Sequence, residues 1–424
     1  MFYILNSVFW RLTLEILRGF KDILPEDIKK WQKLEKIAKE TLEQFGYKEI
    51  RTPILEKTSL FARGVGEATD IVEKEMYTFK DKSGEDITLR PEGTAGVVRA
   101  YITNHLENYP FKKYYYIGPM FRYERPQKGR QRQFHQIGVE VFGVEKPSID
   151  AEIVLIDKIM LDRLNISDLR IEINNIGCPE CRPEYQHRLK SYFEKHREEL
   201  CDDCKRRLNR NPLRILDCKN ESCRKIASNA PKITEHVCEN CSRHYKEVKE
   251  NLKSLGVEFE ENPRLVRGLD YYTKFVFEII TDRLGAQGTV SAGGRYDNLV
   301  EELGGKPTPG IGFASGCERL VELMDSDEGQ EIDYYFACLN EQTECLKIAK
   351  ELALKTERSV YIEHEQRSLK SMMKKANKMN AKYTIIFGEN EKNKGVVLVK
   401  DMKSSLQEEV KISKFIENEV ERWR

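Results

Sequence analysis

The 424-residue chain has no cysteine before Cys178, no long run of uncharged apolar residues and no excess of charge of either sign. Without a run of about 20 apolar residues, no membrane-spanning helix and no membrane partner are expected. The apolar start, residues 1–17, lacks the basic n-region and the small-residue cleavage site of a secretory signal. We therefore expect a cytoplasmic protein whose thiols stay reduced. The net charge of +1 neither indicates nor excludes a nucleic-acid partner.

The familiar nucleotide-binding loops are also missing. The sequence contains no GxxxxGK[ST] loop, no glycine fingerprint in a convincing strand–helix–strand context and no kinase motif set. Any ATP site must therefore be built on another fold.

The length predicts two or three domains, since one core stops growing near about 250–300 residues. After a helix over residues 25–46, strand-like segments at 47–55, 87–90, 114–117 and 136–142 predict an antiparallel sheet. The polar stretch 325–331 (DSDEGQE) indicates a linker. Strands and helices then alternate, which predicts a small C-terminal α/β domain on its own sheet. We therefore predict an α+β fold for the chain, with the antiparallel sheet in the part before the linker.

Residues 177–246 differ in composition from the segments on either side, which predicts an inserted Cys-rich helical module. The segment is charged, and we expect it to bury little core of its own. It also holds eight of the eleven cysteines, in pairs: Cys178, Cys181; Cys201, Cys204; Cys218, Cys223; Cys238, Cys241. Two residues between thiolates suit one tetrahedral metal, so the pairs predict structural zinc, in two sites if all are used. A set of reduced cysteines that bind nothing is the alternative.

Four other segments combine charge, glycine and aromatic residues. Residues 90–94 (RPEGT), taken alone, are more typical of a capped turn that opens a helix than of a binding site. Residues 118–143 indicate a hairpin, and its loop carries five basic residues: Arg122, Arg125, Lys128, Arg130 and Arg132. Arginine binds phosphate through paired hydrogen bonds. A buried arginine such as Arg122 needs an anionic partner, which weakens the interpretation of this loop as a solvated tip.

Residues 266–272 (VRGLDYY) offer one cation and two phenol hydroxyls. Residues 292–296 (AGGRY) and 310–320 (GIGFASGCERL) are dense in glycine, which allows a ligand close to the backbone. Each segment also has a plain structural interpretation, as a loop or as tight packing, and none of them decides the function alone.

Taken together and in this order, the segments resemble the class II aminoacyl-tRNA synthetases, and in detail the histidyl-tRNA synthetase family. Residues 47–56 (YKEIRTPILE) are similar to the first class motif, with Pro53 at a dimer interface. Residues 118–143 and 310–320 are similar to the second and third motifs, and RGLDYY and AGGRY to the histidine-specific signatures. The similarity runs from residue 17 onward. It departs at Cys317, where the third motif usually carries an aliphatic residue.

The resemblance implies a domain plan: an N-terminal extension (1–17), a catalytic domain in two parts (18–176 and 247–325), the insertion (177–246) and an anticodon-binding domain (332–424). It also implies a homodimer that activates L-histidine with ATP and Mg²⁺ to histidyl-adenylate and pyrophosphate. The histidine is then transferred to the 3′ end of tRNA(His).

The resemblance also implies site residues. Histidine would be bound by Glu92, Gly93, Thr94, Gln136, Glu140, Arg267, Tyr271, Tyr272 and Tyr296. Among these, Glu92, Thr94 and Gln136 would hold the α-amino group, and Glu140 and Tyr272 would bracket the imidazole.

ATP would be bound by Arg122 at the α-phosphate, by Glu124 at the adenine amino group and by Arg319 at the γ-phosphate. Arg267 and Arg122 would be the catalytic residues. Arg125 and Gln127 would contact the extra 5′ guanosine of the tRNA.

Two rivals remain open at this point. One is the histidine-sensing regulatory subunit of ATP phosphoribosyltransferase, which typically lacks the full ligand set and the C-terminal tail. The other is a synthetase-like domain that senses uncharged tRNA without catalysis. Arg122, Arg267, Arg319 and the tail favour the enzyme.

Overall fold

The computed structural model describes residues 14–66, 69–325 and 332–423. The chain divides into two compact units, residues 1–325 and 326–424, at the stretch that the sequence marks as a linker. Of the predicted N-terminal extension, residues 1–13 lie outside the described residues, and residues 14–17 form no helix or strand. No helix in the described ranges has both the length and the apolar character that crossing a bilayer requires.

The first unit contains ten α-helices and eleven strands among its described residues. The helices are α1 (Pro25–Gln44), α2 (Thr58–Val65), α3 (Thr94–Thr103), α4 (Pro147–Arg163), α5 (Arg182–Glu194), α6 (Asp202–Arg210), α7 (Glu221–Ser228), α8 (Glu239–Ser254), α9 (Leu299–Glu302) and α10 (Cys317–Leu323). The strands are β1 (Lys48–Glu49), β2 (Leu55–Lys57), β3 (Tyr77–Lys80), β4 (Asp86–Leu89), β5 (Lys113–Phe121), β6 (Gln133–Phe142), β7 (Leu169–Asn175), β8 (Glu260–Glu261), β9 (Thr273–Thr281), β10 (Thr289–Arg295) and β11 (Gly310–Gly316).

Eight of these strands form one sheet in the order β1-β5-β6-β11-β10-β9-β7-β8. The six central strands pair antiparallel, whereas β1 and β8 join the two edges in parallel. A small antiparallel sheet, β2-β4-β3, lies beside it. The predicted α+β class is confirmed, and so is the hairpin, whose strands β5 and β6 pair along their whole length.

The large sheet has two different faces because side chains alternate along each strand. In β6, Ile137, Val139 and Val141 belong to the core that also contains apolar residues of α1, α4, α8 and α10. The alternate residues of the same strand, such as Gln136 and Glu140, point to the opposite face. The helices therefore cover one face, and the polar residues of the central strands collect on the other.

The segment 47–55 is not the single strand that its composition suggests. It contains β1, then an irregular stretch, then the first residue of β2, which belongs to the other sheet. Pro53 lies between the two strands and has no N–H to donate to a ladder, so an uninterrupted strand cannot pass through it.

The expectation that the insertion buries little core is wrong. Tyr185, Leu189 and Phe193 follow each other at helical spacing on α5 and are fully buried. They belong to the same apolar cluster as Tyr271 and Tyr272, so the insertion packs on the rest of the unit instead of forming a separate core. The predicted end of the insertion at residue 246 also falls inside α8, which continues to Ser254.

The second unit has a five-stranded sheet in the order β13-β12-β14-β15-β16. Its elements are β12 (Ile332–Leu339), α11 (Gln342–Thr356), β13 (Val360–Ile362), α12 (Leu369–Lys378), β14 (Ala381–Gly388), α13 (Glu389–Lys394), β15 (Val396–Asp401), β16 (Gln407–Lys411) and α14 (Ile412–Arg422). The three strands β13, β12 and β14 are parallel, as strand–helix alternation requires. Strands β15 and β16 add an antiparallel edge.

A buried carboxyl group lies beneath β10 and β11. Asp157 of α4 is fully buried and accepts hydrogen bonds from the hydroxyls of Ser291 and Ser315, the second at 3.4 Å. The Ser315 hydroxyl also lies 2.9 Å from that of Ser291. Burial raises the pKa of Asp157 to about 7.

This carboxyl group should make stability depend on pH. Between about pH 4 and pH 7 the unfolded chain ionises Asp157 while the folded chain keeps it protonated, so stability falls as pH rises. We expect Asp157→Asn to flatten this fall, seen as a smaller drop in Tm between pH 5 and pH 8. Asp162→Asn, at an exposed position of the same helix, should keep the wild-type slope. Equal slopes for all three proteins would contradict the burial effect.

Candidate active site

A cleft of about 280 Å³ opens on the sheet face that the helices α1, α4, α8 and α10 leave uncovered. It is lined by ten of the residues expected at a small-molecule site: Glu92, Thr94, Arg122, Glu124, Gln136, Arg267, Tyr271, Tyr272, Tyr296 and Arg319. These residues come from segments far apart in the sequence, and only the folding of the central strands brings them together.

Glu92 is both a cleft residue and a helix cap. Its carboxylate accepts hydrogen bonds from the backbone N–H groups of Thr94, at 2.6 Å, and Ala95, at 2.9 Å, at the start of α3. The capped-turn interpretation of RPEGT is therefore correct as structure. Because Glu92 is fully buried, its pKa is raised, although these two backbone donors oppose the shift. Gly93 packs against Tyr116, and a Cβ there would lie 2.2 Å from the ring.

Glu140 lies one layer below the cleft surface. Its carboxylate accepts hydrogen bonds from the hydroxyls of Thr94, at 2.7 Å, Tyr116, at 3.5 Å, and Tyr296. Burial raises the pKa of Glu140 to about 8. Gly312 covers it, and a Cβ there would lie 2.2 Å from a carboxylate oxygen. This end of the cleft is therefore a cluster of hydroxyls around one acceptor.

Apart from the Oε2 of Glu124, which forms an ion pair with Arg130, two buried polar atoms in the cleft have no hydrogen-bond partner among the residues that the structure describes. They are the side-chain oxygen of Gln136 and the Nε of Arg267. A buried polar group without a partner is costly and calls for an explanation such as an absent ligand. Both atoms belong to residues on the cleft wall, so a polar ligand with one donor and one acceptor suits the cleft.

Arg267 is held on two sides. Its guanidinium pairs with Glu278 of β9, and it lies over the ring of Tyr272, 5.4 Å from the centroid. Glu278, together with the tyrosine hydroxyls, raises the pKa of Arg267 against the opposing effect of burial, so its charge is permanent. The sequence analysis missed Glu278, although it is the one acidic residue in the apolar strand β9.

The opposite end of the cleft is basic. Arg122 donates from Nε to the carbonyl of Pro91 at 2.8 Å, and its guanidinium lies 5.2 Å from the centroid of Phe134. Arg319 donates from Nε to the carbonyl of Gly129, at 3.0 Å, and from Nη1 to that of Thr289. These contacts hold three guanidinium groups, with Arg267, around one cleft.

The hairpin loop divides its charges between the cleft and the solvent. Arg130 turns inward and pairs with Glu124, 2.6 Å away. Arg125 and Gln127 are exposed near the tip, where the backbone of Gln127 and Arg130 closes a tight turn with Gly129 at a positive φ of 69°. The two residues expected to contact RNA thus lie outside the cleft, and Arg130 is a cleft residue that the sequence analysis left unassigned.

The eight cysteines of the insertion form two clusters of four. The first contains Cys178, Cys181, Cys238 and Cys241, and the second Cys201, Cys204, Cys218 and Cys223. Within each, all sulfurs lie within 4.8 Å of one another. Four thiolates around one zinc ion are expected about 3.8 Å apart, given Zn–S bonds near 2.3 Å. The donor set therefore fits zinc, and the histidines of the insertion contribute to neither cluster.

Comparison with known proteins agrees with this geometry. A family model described as histidyl-tRNA synthetase matches residues 19–320, and a model described as anticodon binding domain matches residues 333–422. The histidine–tRNA ligase of Halothermothrix orenii is 50% identical over 407 residues, covering 94% of this chain and 97% of that protein. That of Thermodesulfovibrio yellowstonii is 48% identical over 413 residues, covering 95% and 97%.

A solved structure is similar as well. The apo histidyl-tRNA synthetase of S. aureus superposes with a TM-score of 0.80 at 37% sequence identity, covering 96% of this chain and all of that one.

Proposed function

The chain belongs to the histidyl-tRNA synthetase family, and from this premise we propose how its cleft activates histidine and passes it to tRNA. The proposal rests on two features of one cleft. Three guanidinium groups, those of Arg122, Arg267 and Arg319, line it, and at one end the buried carboxyl group of Glu140 accepts hydrogen bonds from surrounding hydroxyls. A triphosphate suits the guanidinium groups, and an imidazole suits the end with the carboxyl group. Purified chain with ATP should charge tRNA(His) with labelled histidine. Equal charging with phenylalanine or glutamine would overturn the specificity.

The proposed histidine site uses Glu140 and Tyr272 to read the imidazole. A neutral imidazole donates through one nitrogen and accepts through the other, so a carboxylate and a phenol can satisfy both. Glu92, Thr94 and Gln136 would hold the α-amino group, and the partnerless oxygen of Gln136 supports this. Gly93, Tyr271 and Tyr296 would complete the wall.

The proposed chemistry is attack by the histidine carboxylate on the α-phosphate, with pyrophosphate leaving. Arg122 and Arg267 would stabilise charge that develops on the α-phosphate, and Arg319 would hold the γ-phosphate. Fixed positive charge and positioning supply the rate in such a step. Glu124 would accept from the adenine amino group.

Mg²⁺ would suit the part of the cleft that is proposed to bind the triphosphate. Glu278 and Glu318 line it, and carboxylate oxygens together with phosphates are the ligands that Mg²⁺ prefers. When bound, the ion would neutralise charge on the departing pyrophosphate.

The exposed hairpin tip is proposed to contact the tRNA. Arg125→Ala and Gln127→Ala should each leave ATP–pyrophosphate exchange within about twofold of wild type, because neither side chain lines the cleft. Each should slow transfer to tRNA by about tenfold, the effect of one lost contact worth roughly 1–3 kcal/mol. Arg63→Ala, outside the loop, serves as the control. A parallel loss of exchange and transfer would place the tip in the small-molecule site instead.

The chain is also proposed to form a homodimer through the segment around Pro53. Ile54 and Leu55, next to it, are large apolar residues that are 43% and 42% exposed. Such side chains on a surface are typical of an interface when they cluster.

We further propose that each cysteine cluster binds one structural zinc ion. Chain purified with zinc in the medium should retain two equivalents after dialysis, measured by plasma mass spectrometry. Cys204→Ser with Cys218→Ser should lower this to one, and Ser242→Ala, next to the first cluster, should leave two. Metal-free wild-type protein that keeps full aminoacylation would rule zinc out.

A further inference from the structure

A short segment of the insertion touches the loop that carries Arg267. We call residues 205–217 the bridging segment. It begins after Cys204 in α6 and ends before Cys218, and both cysteines belong to the second cluster. The cluster therefore closes the two ends of the segment against each other.

The bridging segment makes directed polar contacts with residues 70–73 and 267–270. Arg207 donates to the carboxylate of Asp70 at 3.2 Å, and Arg210 pairs with Glu73. The Asn211 amide donates to the carboxylate of Asp270 at 3.1 Å. Asp270 is tied to residue 65 as well, since its N–H donates to the carbonyl of Val65.

The contact nearest the chemistry is made by Arg214. Its NH1 donates to the backbone carbonyl of Arg267 at 2.9 Å. The same nitrogen would lie 3.5 Å from a Cβ placed on Gly268, so the Arg214 guanidinium lies against the backbone of this loop. Below this contact, Leu213 and Ile215 are buried in the same apolar cluster as Leu265 and Val266.

We propose that Arg214 is a positioning residue for Arg267, and that the second cysteine cluster holds Arg214 in place by closing the bridging segment. This proposal rests on the proposed role of Arg267 in adenylate formation. Arg214 contacts the backbone of Arg267 and does not reach the cleft. Its effect is to fix the backbone position from which the Arg267 side chain extends into the cleft. A displacement of about 1 Å at a catalytic group can cost about 100-fold in rate.

The first test is kinetic. In histidine-dependent ATP–pyrophosphate exchange, Arg214→Ala should lower kcat by about 10- to 100-fold while the KM values for ATP and histidine change less than about threefold. Arg214→Lys keeps one donor for the carbonyl and should recover most of kcat. Arg206→Ala is the matched control, because Arg206 lies in the same segment but is exposed and pairs with Asp203, another residue of α6. A folded Arg214→Ala variant with wild-type kcat, or one altered only in KM, would overturn the proposal.

The second test does not depend on activity. Amide hydrogen exchange in the peptide covering residues 265–272 should be faster in Arg214→Ala and in Cys204→Ser with Cys218→Ser than in Arg206→Ala. The cysteine variant should also lose one zinc equivalent. Unchanged exchange of that peptide in the zinc-depleted variant would overturn the role of the cluster.

The catalytic role of Arg267 and the positioning role of Arg214 can be tested separately. If Arg267→Ala exchanges pyrophosphate normally, the proposed catalytic role of Arg267 falls, and the positioning role of Arg214 falls with it, while the proposed function of the cleft stands. If Arg267→Ala is inactive while Arg214→Ala matches Arg206→Ala, only the positioning role falls.

Discussion

Replacing Arg267 with alanine should lower histidine-dependent ATP–pyrophosphate exchange by at least about 100- to 1000-fold, the range for one lost group that stabilises transition-state charge. Arg267 is partly buried in the cleft wall and permanently charged, and its Nε has no partner among the described residues. The loss should fall on kcat more than on either KM, because the charge that Arg267 meets develops only during the reaction.

Arg264→Ala is the control for this experiment. It removes an exposed arginine from the same loop, three residues away, and should leave exchange unchanged. Circular dichroism and the elution volume of both variants should match wild type. If Arg267→Ala exchanges pyrophosphate at the wild-type rate, Arg267 has no role in the catalytic step.

The second large effect is expected at Glu140. Glu140→Gln keeps the size of the side chain but replaces one acceptor oxygen with an amide donor among three hydroxyls. A site built to hydrogen-bond a substrate group loses discrimination strongly when its buried partners no longer match. We expect the KM for histidine to rise by about 100-fold or more, which corresponds to roughly 3 kcal/mol.

The KM for ATP is the internal control for Glu140→Gln, since the guanidinium end of the cleft is untouched. It should change less than about threefold. A variant in which both KM values rise together would indicate a collapsed cleft, and a wild-type KM for histidine would place the imidazole elsewhere.

Sequence patterns predicted the elements that one stretch of chain determines by itself. The periodicity of α1 and the apolar strands that flank the basic hairpin loop are examples. Pro53 shows what patterning missed: its neighbours have strand composition, but its missing N–H divides them between two sheets.

The cysteine pairs show a second limit. Spacing brings Cys178 close to Cys181 and Cys201 close to Cys204, but it cannot say which pair joins which. The chain between pairs must fold first, and the result is a nested arrangement in which residues 201–223 are enclosed between the halves of the first cluster. The core under α5 was predictable, since Tyr185, Leu189 and Phe193 already stand at helical spacing.

In the cleft, sequence similarity assigned the residue types but not their partners. The pairing of Arg267 with Glu278 depends on a strand and a loop meeting across the sheet. The position of Glu140 beneath Gly312 depends on the register of β6 and β11, which places these two residues opposite each other. Such neighbours are set by tertiary packing and leave only weak signals in a single sequence, such as the lone acidic residue in β9.

The central claim is that the cleft itself makes histidyl-adenylate. The most direct measurement is ATP–pyrophosphate exchange by the wild-type chain with Mg²⁺ and without tRNA, with and without histidine. The account predicts rapid exchange that depends entirely on histidine and is not supported by other amino acids. Histidine binding without any exchange would contradict it and would make the chain a histidine-binding protein without catalysis.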